Sequence, residues 1–483
     1  MEFIEKSETT NILFFGCWNR GQCRNIKNGE DIEDNEQTDV NDINVQNKAE
    51  SKTNNTNSND EYINESYNND DDATNENEQK LIDEKIETEP KNEKAGEEMS
   101  NTLNKLKEYI AESGNTTNAV IVAGDNYYPH KYTKKMNGIK QKFKEVNFGN
   151  MEMGFKCLKD AVGIIETHVL LGNHDVEYLK KNECAIIEKE IEITGKNHNI
   201  KLFNFNDTDE RYRIYGNSIV IFLDSTIYDN DEKHFECYNH VIDGVNNVDN
   251  IEIRNSVKNN QIEFADEIVD IIEKNNLIKN VIFTAHHPIV GLKSKDDKEK
   301  LDVMEDFVNF LKTEFLEKLG DNNHRYYHLC ADVHNYQQVK INIHMGDNEY
   351  IPITQYVVGT GGAEKDVINK GSLKKFYIEK YYTEKEKTKE ESKEEPAILF
   401  KYRLIKYKYE NGFLHVKISN NTPPVFSFIS ATTPTTHAGG SRKKRMTKRK
   451  TKKPVKNIKK THKKKHTKKR QSMSARCKSS IVK

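Results

Sequence analysis

Several features are missing from this 483-residue sequence. No apolar run reaches the ~18 residues that a membrane-spanning helix needs, and no basic-then-apolar leader follows Met1. Seven cysteines (Cys17, Cys23, Cys157, Cys184, Cys237, Cys330 and Cys477) are scattered, odd in number and without a CxxC pair. That pattern argues against a secreted disulfide scaffold. The expectation is an intracellular, reducing setting, with no secretion and no membrane partner. There is a single tryptophan, Trp18, and the last 43 residues contain no acidic side chain.

The charge is not absent but segregated. The formal net charge is −2, yet residues 30–99 carry −17 and residues 441–483 carry +21, leaving −6 for the remainder. "NNTNSNDEYINESYNNDDDATNENEQK" has little to bury and much charge to repel, so residues 24–97 are expected to form a disordered acidic, Asn-rich insertion. Loop closure cost grows slowly with length, so a folded domain can carry such an insertion. Residues 431–483 are expected to be a disordered Lys/Arg-rich tail that cannot fold alone. The tail has two readings. One is non-specific contact with nucleic acid or another polyanion through 441–483 by counterion release; interleaved aromatics for base stacking are lacking. The other is a solubilising, targeting or intramolecular role opposite the acidic insertion.

Between these segments the chain reads as a mixed α/β domain. "ILFFGCWN" (12–19) is an apolar run ending at Gly16, and "AVIVAGDNYY" (119–128) is a second. Met99, Leu103, Leu106 and Ile110 lie between them at helical spacing, which makes a βαβ unit. "HVLLGNHD" (168–175), "NVIFTAHHP" (280–288), "YYHLCADVHN" (326–335) and "YVVGTGGAEK" (356–365) repeat the theme of a buried strand opening into a polar loop. "YRIYGNSIVIFLDST" (212–226) predicts two strands. Helices are expected near 258–275 and 302–318. "YRLIKYKYENGFLHVKI" (402–418) alternates around Asn411-Gly412, which predicts a hairpin.

Chemistry collects at the ends of these runs. Asp125, Asn173, His174, His286, Asp332 and His334 each stand just past an apolar segment. Parallel strands end at one sheet edge, where ligands bind. Carboxylate, imidazole, amide carbonyl and phenol suit hard or borderline metals. Taken singly, each position has a structural reading as a turn, a cap or a surface pair. Four such segments in series favour a shared metal site over four coincidences.

In this order, "GDNYY" (124–128), "GNHD" (172–175), "AHHP" (285–288) and "ADVHN" (331–335) resemble the motifs of calcineurin-like metallophosphoesterases. The tyrosine of "GDNYY" and the tryptophan after the first strand resemble the purple acid phosphatase branch. The tail and composition are similar to those of large-DNA-virus proteins, so a host cytoplasm, nucleus or virion would be the setting. The resemblance covers roughly 1–23 and 98–425. It implies a double β-sandwich flanked by helices in four layers, with 1–23 as the first strand of a catalytic domain continued over 98–430. It implies two divalent or trivalent ions (Fe, Zn or Mn) and hydrolysis of a phosphoester substrate by a metal-bound hydroxide. Asp125 would bridge the ions, Tyr128 and His334 would bind the first, and Asn173 and His286 the second. His174 would act as general acid or orient the phosphate with Asp175 behind it, and His287 would sit near the substrate.

Two residues depart from the motifs. Cys17 in "GCWN" stands where the family has an aspartate, and Asp332 in "ADVHN" where it has a histidine. Asp332 keeps a ligand of similar reach. Cys17 is either a soft thiolate ligand or an inert buried thiol. Trp18 either lines the pocket mouth or packs in the core. The alternative functions are a decayed catalytic domain that binds nucleic acid through its tail, and a nuclease whose tail delivers DNA to the same centre.

Overall fold

The computed structural model describes residues 9–19, 87–88, 91–112, 117–136, 139–179, 183–205, 207–229, 237–241, 250–295, 298–320, 324–347, 349–363, 365–383 and 398–431. The described residues fall within one compact unit, Met1–Pro434. Residues 432–483 of the expected basic tail lie outside them, as do residues 24–86 and 89–90 of the expected acidic insertion.

Two large sheets form the core. The six-stranded sheet runs, edge to edge, Thr422–Ser430, Gly412–Ser419, Thr9–Phe15, Thr117–Ala123, Glu166–Leu170, Ile200–Leu202. The last four of these strands are parallel. The eight-stranded sheet contains a second parallel set: Ser218–Phe222, Asn280–Thr284, Arg325–Cys330 and Glu349–Val358. Strands buried on both faces read as continuous apolar runs. Accordingly, Ile12–Phe15, Val120–Ala123 and Val281–Phe283 are all buried. The result is a mixed α/β fold compatible with a sandwich. The parallel strands of both sheets deliver their C-terminal ends to one region. There Gly16 donates its backbone N–H to the Val358 carbonyl across the two sheets (3.1 Å). A Cβ on Gly16 would come within 2.6 Å of the Ala331 Cβ, so only glycine lets the two strand ends meet this closely.

The helix over Met99–Ile110 is present but longer, Lys91–Glu112, so it starts inside the span expected to be disordered. The other helical expectations, 258–275 and 302–318, largely coincide with Asn250–Lys274 and Glu305–Leu319, the latter with a π-helical turn at Leu311–Leu316, but residues 302–303 end the Lys298–Val303 strand instead.

The expected Asn411-Gly412 hairpin is not formed. Ile398–Lys408 pairs in the eight-stranded sheet with Tyr336–Gly346, whereas Gly412–Ser419 crosses to the six-stranded sheet. The Thr360 loop captures the corner: Gly412 donates to the Thr360 carbonyl (3.1 Å) and the Thr360 hydroxyl to the Gly412 carbonyl (2.8 Å). Those groups are therefore spent on the loop rather than on a hairpin ladder. The true hairpin lies one turn later, between Gly412–Ser419 and Thr422–Ser430.

The cysteine reading is also corrected in part. Cys184 and Cys237 form a disulfide, with Cα atoms 5.2 Å apart and the two residues 53 positions apart in sequence. Cys157 is disulfide-bonded as well, and Cys17 and Cys330 are free and buried. A pair so far apart has no spacing signature, which is why the sequence pattern does not reveal it.

Candidate metal centre

Five strand ends build the centre. Cys17 and Asp125 follow adjacent strands of the six-stranded sheet, and Asn173 follows the next. His286 and Asp332 follow neighbouring strands of the other sheet. Three of these residues hold a left-handed backbone that side chains with a Cβ rarely adopt: Cys17 at φ 55, Asp125 at φ 52 and Asp332 at φ 47. Among the described residues only two other non-glycine positions do so. Such strain persists where the surroundings enforce it, and it clusters at functional sites.

Asp125 sits at the middle. Its Oδ2 accepts from the Tyr128 hydroxyl at 2.7 Å and lies 3.9 Å from Cys17 Sγ. Tyr128 Oη is in turn 3.1 Å from His334 Nε2. Its other oxygen, Oδ1, accepts from the His174 backbone N–H (3.1 Å) and lies 3.3 Å from His286 Nε2. That imidazole nitrogen is 3.2 Å from Asn173 Oδ1 and 3.9 Å from Asp332 Oδ1. Two donor sets therefore share one carboxylate. Cys17, Asp125, Tyr128 and His334 form the first; Asp125, Asn173, His286 and Asp332 form the second. The ligand atoms of Cys17, Asp125 and His286 lie within 4.8 Å of one another, as do those of His286, His287 and Asp332. These buried groups are able to hold metal ions.

The imidazoles are oriented from behind. His286 Nδ1 lies 2.7 Å from the Ala123 carbonyl, which fixes a proton there and turns Nε2 toward the centre. Burial opposes the charge on this ring, but Asp125 and Asp332 outweigh it and raise its pKa, so Nε2 would give up its proton to a bound cation. His287 is held differently. The Ser225 hydroxyl accepts from the His287 backbone N–H (2.8 Å) and stands 2.9 Å from Nδ1, where it is placed to donate. In that tautomer the proton is on Nε2, and His287 serves as a hydrogen-bond donor. Burial, followed by the neighbouring His286, drives the His287 pKa down to about 3, so its ring is neutral.

The electrostatics centre on Asp125. Burial works against its charge, but His286, His174 and the Tyr128 hydroxyl together outweigh burial and depress its pKa. Asp175 behaves oppositely: burial and then the charge of Asp125 push it up to about 7. The Cys17 thiol is pushed well up by burial and by Asp125 and Asp332, and it would lose its proton only to a bound cation.

All ten residues singled out in the sequence as site residues lie around the centre, but one of them, Asp175, takes an unexpected position, as does Trp18 beside them. Asp175 does not stand behind His174. Its carboxylate turns inward and accepts from the Asn126 N–H (2.7 Å), the Asn126 amide (2.9 Å) and the Gly172 N–H (2.8 Å), thereby tying the Asp125 and Asn173 loops together. The carboxylate that meets His174 Nδ1 is Glu177, at 2.9 Å, and Lys144 backs it at 2.6 Å. Trp18 is fully buried; its Nε1 donates to Asn126 Oδ1 at 3.3 Å and its ring packs edge-on to Phe155. It belongs to the core, not to the pocket mouth. Glu177 was readable as an i+3 partner in "HDVE", and Ser225 as the end of "FLDST". Lys144 carried no sequence signal.

No protein-family model matches the chain, and no curated protein matches it. Among solved structures, one titled "Structure of PhoD" is 14% identical, covering 67% of this chain and 65% of its own, at a TM-score of 0.36. The chain thus spans about 65% of that structure's length, and a likeness at that score carries no argument.

Proposed function

We propose that the chain is a metal-dependent phosphoesterase built on the calcineurin-like plan, its two large sheets packed as a sandwich with helices outside. The observation that carries this reading is Asp125. One buried, charged carboxylate presents its two oxygens to two separate donor sets, which is what a pair of ions sharing a bridging ligand requires. The Tyr128 phenol beside Asp125 and His334 supports a purple acid phosphatase-like first site.

When bound, such ions lower the pKa of a water molecule and screen the charge of a phosphoryl group. The protein's own residues do the rest. His174 stands at the open side of the centre, with 22% of its side chain exposed. Glu177 fixes its Nδ1, so Nε2 is the atom left to exchange a proton with the leaving oxygen. His287 offers its Nε2–H to a phosphate oxygen, and Asn126 and Asp175 keep the loops in register.

The test compares two variants by elemental analysis and by turnover of an aryl phosphate. His174→Ala is expected to keep its metal and to lose roughly two orders of magnitude in rate. Asp125→Asn is expected to lose metal as well as rate. Equal metal content in the two variants would refute this division of roles.

A further inference from the structure

Lys293 is the one lysine or arginine in ion-pair distance of the candidate ligands among the described residues. It lies on the Val290–Lys295 strand, which forms a two-stranded hairpin with Lys298–Val303 immediately after the "AHHP" segment. Its ammonium is 2.6 Å from Asp332 Oδ2 and 2.8 Å from Asp302 Oδ2. Asp332 therefore faces two ways: Oδ1 is turned toward His286 Nε2 (3.9 Å) and Oδ2 is turned to Lys293. Burial opposes the charge on Lys293, but the two carboxylates outweigh it and keep the ammonium protonated.

We propose that Lys293 is a resident cation that competes with the second ion for Asp332, so that the centre fills in two unequal steps. The inference rests on the two-set reading of Asp125 given above. Its logic is charge. The first set keeps Asp125 with no ammonium beside it. In the second set Lys293 lies between Asp332 and Asp302, so the three side chains carry −1 between them rather than −2. Attraction for a second cation is reduced accordingly. Lys293 is a positioning residue in this account, since it acts through Asp332.

The experiment is calorimetric titration of the metal-free full-length protein with Mn(II), and separately with Zn(II), for the wild type, Lys293→Met and Lys293→Gln. Circular dichroism serves as the folding control. The wild type is expected to bind one tight equivalent and a second at least tenfold weaker. Both variants are expected to tighten the second step about tenfold or more and to leave the first unchanged, because Asp332 then no longer carries the ammonium. Two equally tight equivalents in the wild type would overturn the proposal. So would folded variants whose second step is unchanged or weaker. Failure of the wild type to bind either metal would instead remove the metal centre itself, and with it this inference.

Discussion

A single methyl group tests whether Asp125 must stand where it does. Gly172 begins the "GNHD" loop and lies against the Asp125 loop. A Cβ at position 172 would be 2.3 Å from Asp125 N, 2.5 Å from Asp125 Oδ1 and 3.0 Å from His286 Cε1. Ordinary contact begins near 3.4 Å, so Asp125 N would have to retreat by 1.1 Å. It cannot do so by rotating a flexible tip. The atom is backbone, the residue already holds φ 52, and its Oδ1 is fixed by the His174 N–H. Overpacking of this kind costs about 1–3 kcal/mol. A displacement of ~1 Å in a reacting geometry costs on the order of 10²-fold in rate. Gly172→Ala is therefore expected to remain folded, with a lowered urea midpoint, while losing most of its bound metal and about 10²-fold of its aryl phosphatase activity. Gly195→Ala is the control, because nothing lies within 4 Å of a Cβ there. A Gly172→Ala protein with wild-type metal content and turnover would refute the role assigned to the Asp125 position.

Three further outcomes are expected. His168 stacks on Phe222 at 4.6 Å, and burial lowers its pKa from 6.5 to about 4. As the pH falls, the unfolded chain takes up this proton first, so the stability it contributes is complete above pH 6.5 and is lost progressively toward pH 4. Urea unfolding should show a loss of roughly 2.5 kcal/mol from this group between about pH 7.5 and 4.5, and His168→Leu should remove that share of the slope; an unchanged slope would sink the argument. The Cys184–Cys237 bond closes a loop of 53 residues, for which the chain-entropy relation gives about 4 kcal/mol. Cys184→Ser should therefore lower stability, and reductant, which also opens the Cys157 disulfide, should lower it at least as much; a wild-type midpoint indifferent to reductant would show the thiols unpaired in solution. Finally, DNA binding, if it resides in residues 441–483, should weaken steeply with salt and vanish on truncation after Ala438; equal binding by the truncated chain would exclude the tail as its source.

The parts of this molecule legible in the sequence are those that local patterns encode. Strands buried on both faces, such as Ile12–Phe15 and Val281–Phe283, announce themselves as apolar runs, and the polar residues just beyond them mark the sheet edge where the centre forms. What stayed hidden depends on contacts across the chain. The alternation over 402–418 is real, but it cannot say that its two halves belong to different sheets, because the Thr360 loop 52 residues away decides that. The adjacency of His174 and Asp175 suggested a dyad. The Asp175 carboxylate is instead claimed by two backbone N–H groups and an amide, and Glu177 one turn later takes its place. Lys293 stands seven residues beyond His286 in a stretch with no metal-site pattern, and its importance appears only when the hairpin folds it against Asp332.

The two residues that depart from the motif resemblance are best understood together. Cys17, Asp125 and Asp332 all hold left-handed backbones, at roughly 1–2 kcal/mol each. The loops therefore hold Cys17 and Asp332 in the same left-handed conformation as Asp125. The three differ in charge. Cys17 contributes a thiol whose proton is held firmly by burial, and Asp332 contributes a carboxylate already paired with Lys293. Asp175, raised to about 7, points away from the donor sets. Asp125 is thus the one carboxylate with both oxygens turned to the donor sets and no ammonium or guanidinium beside it. On the proposed function, metal affinity would be concentrated on that side chain rather than spread over several acids. This is why perturbations of Asp125, through its own side chain or through a methyl group on Gly172, should remove the metal, whereas the charge balance at Lys293 should only set how firmly a second ion is held.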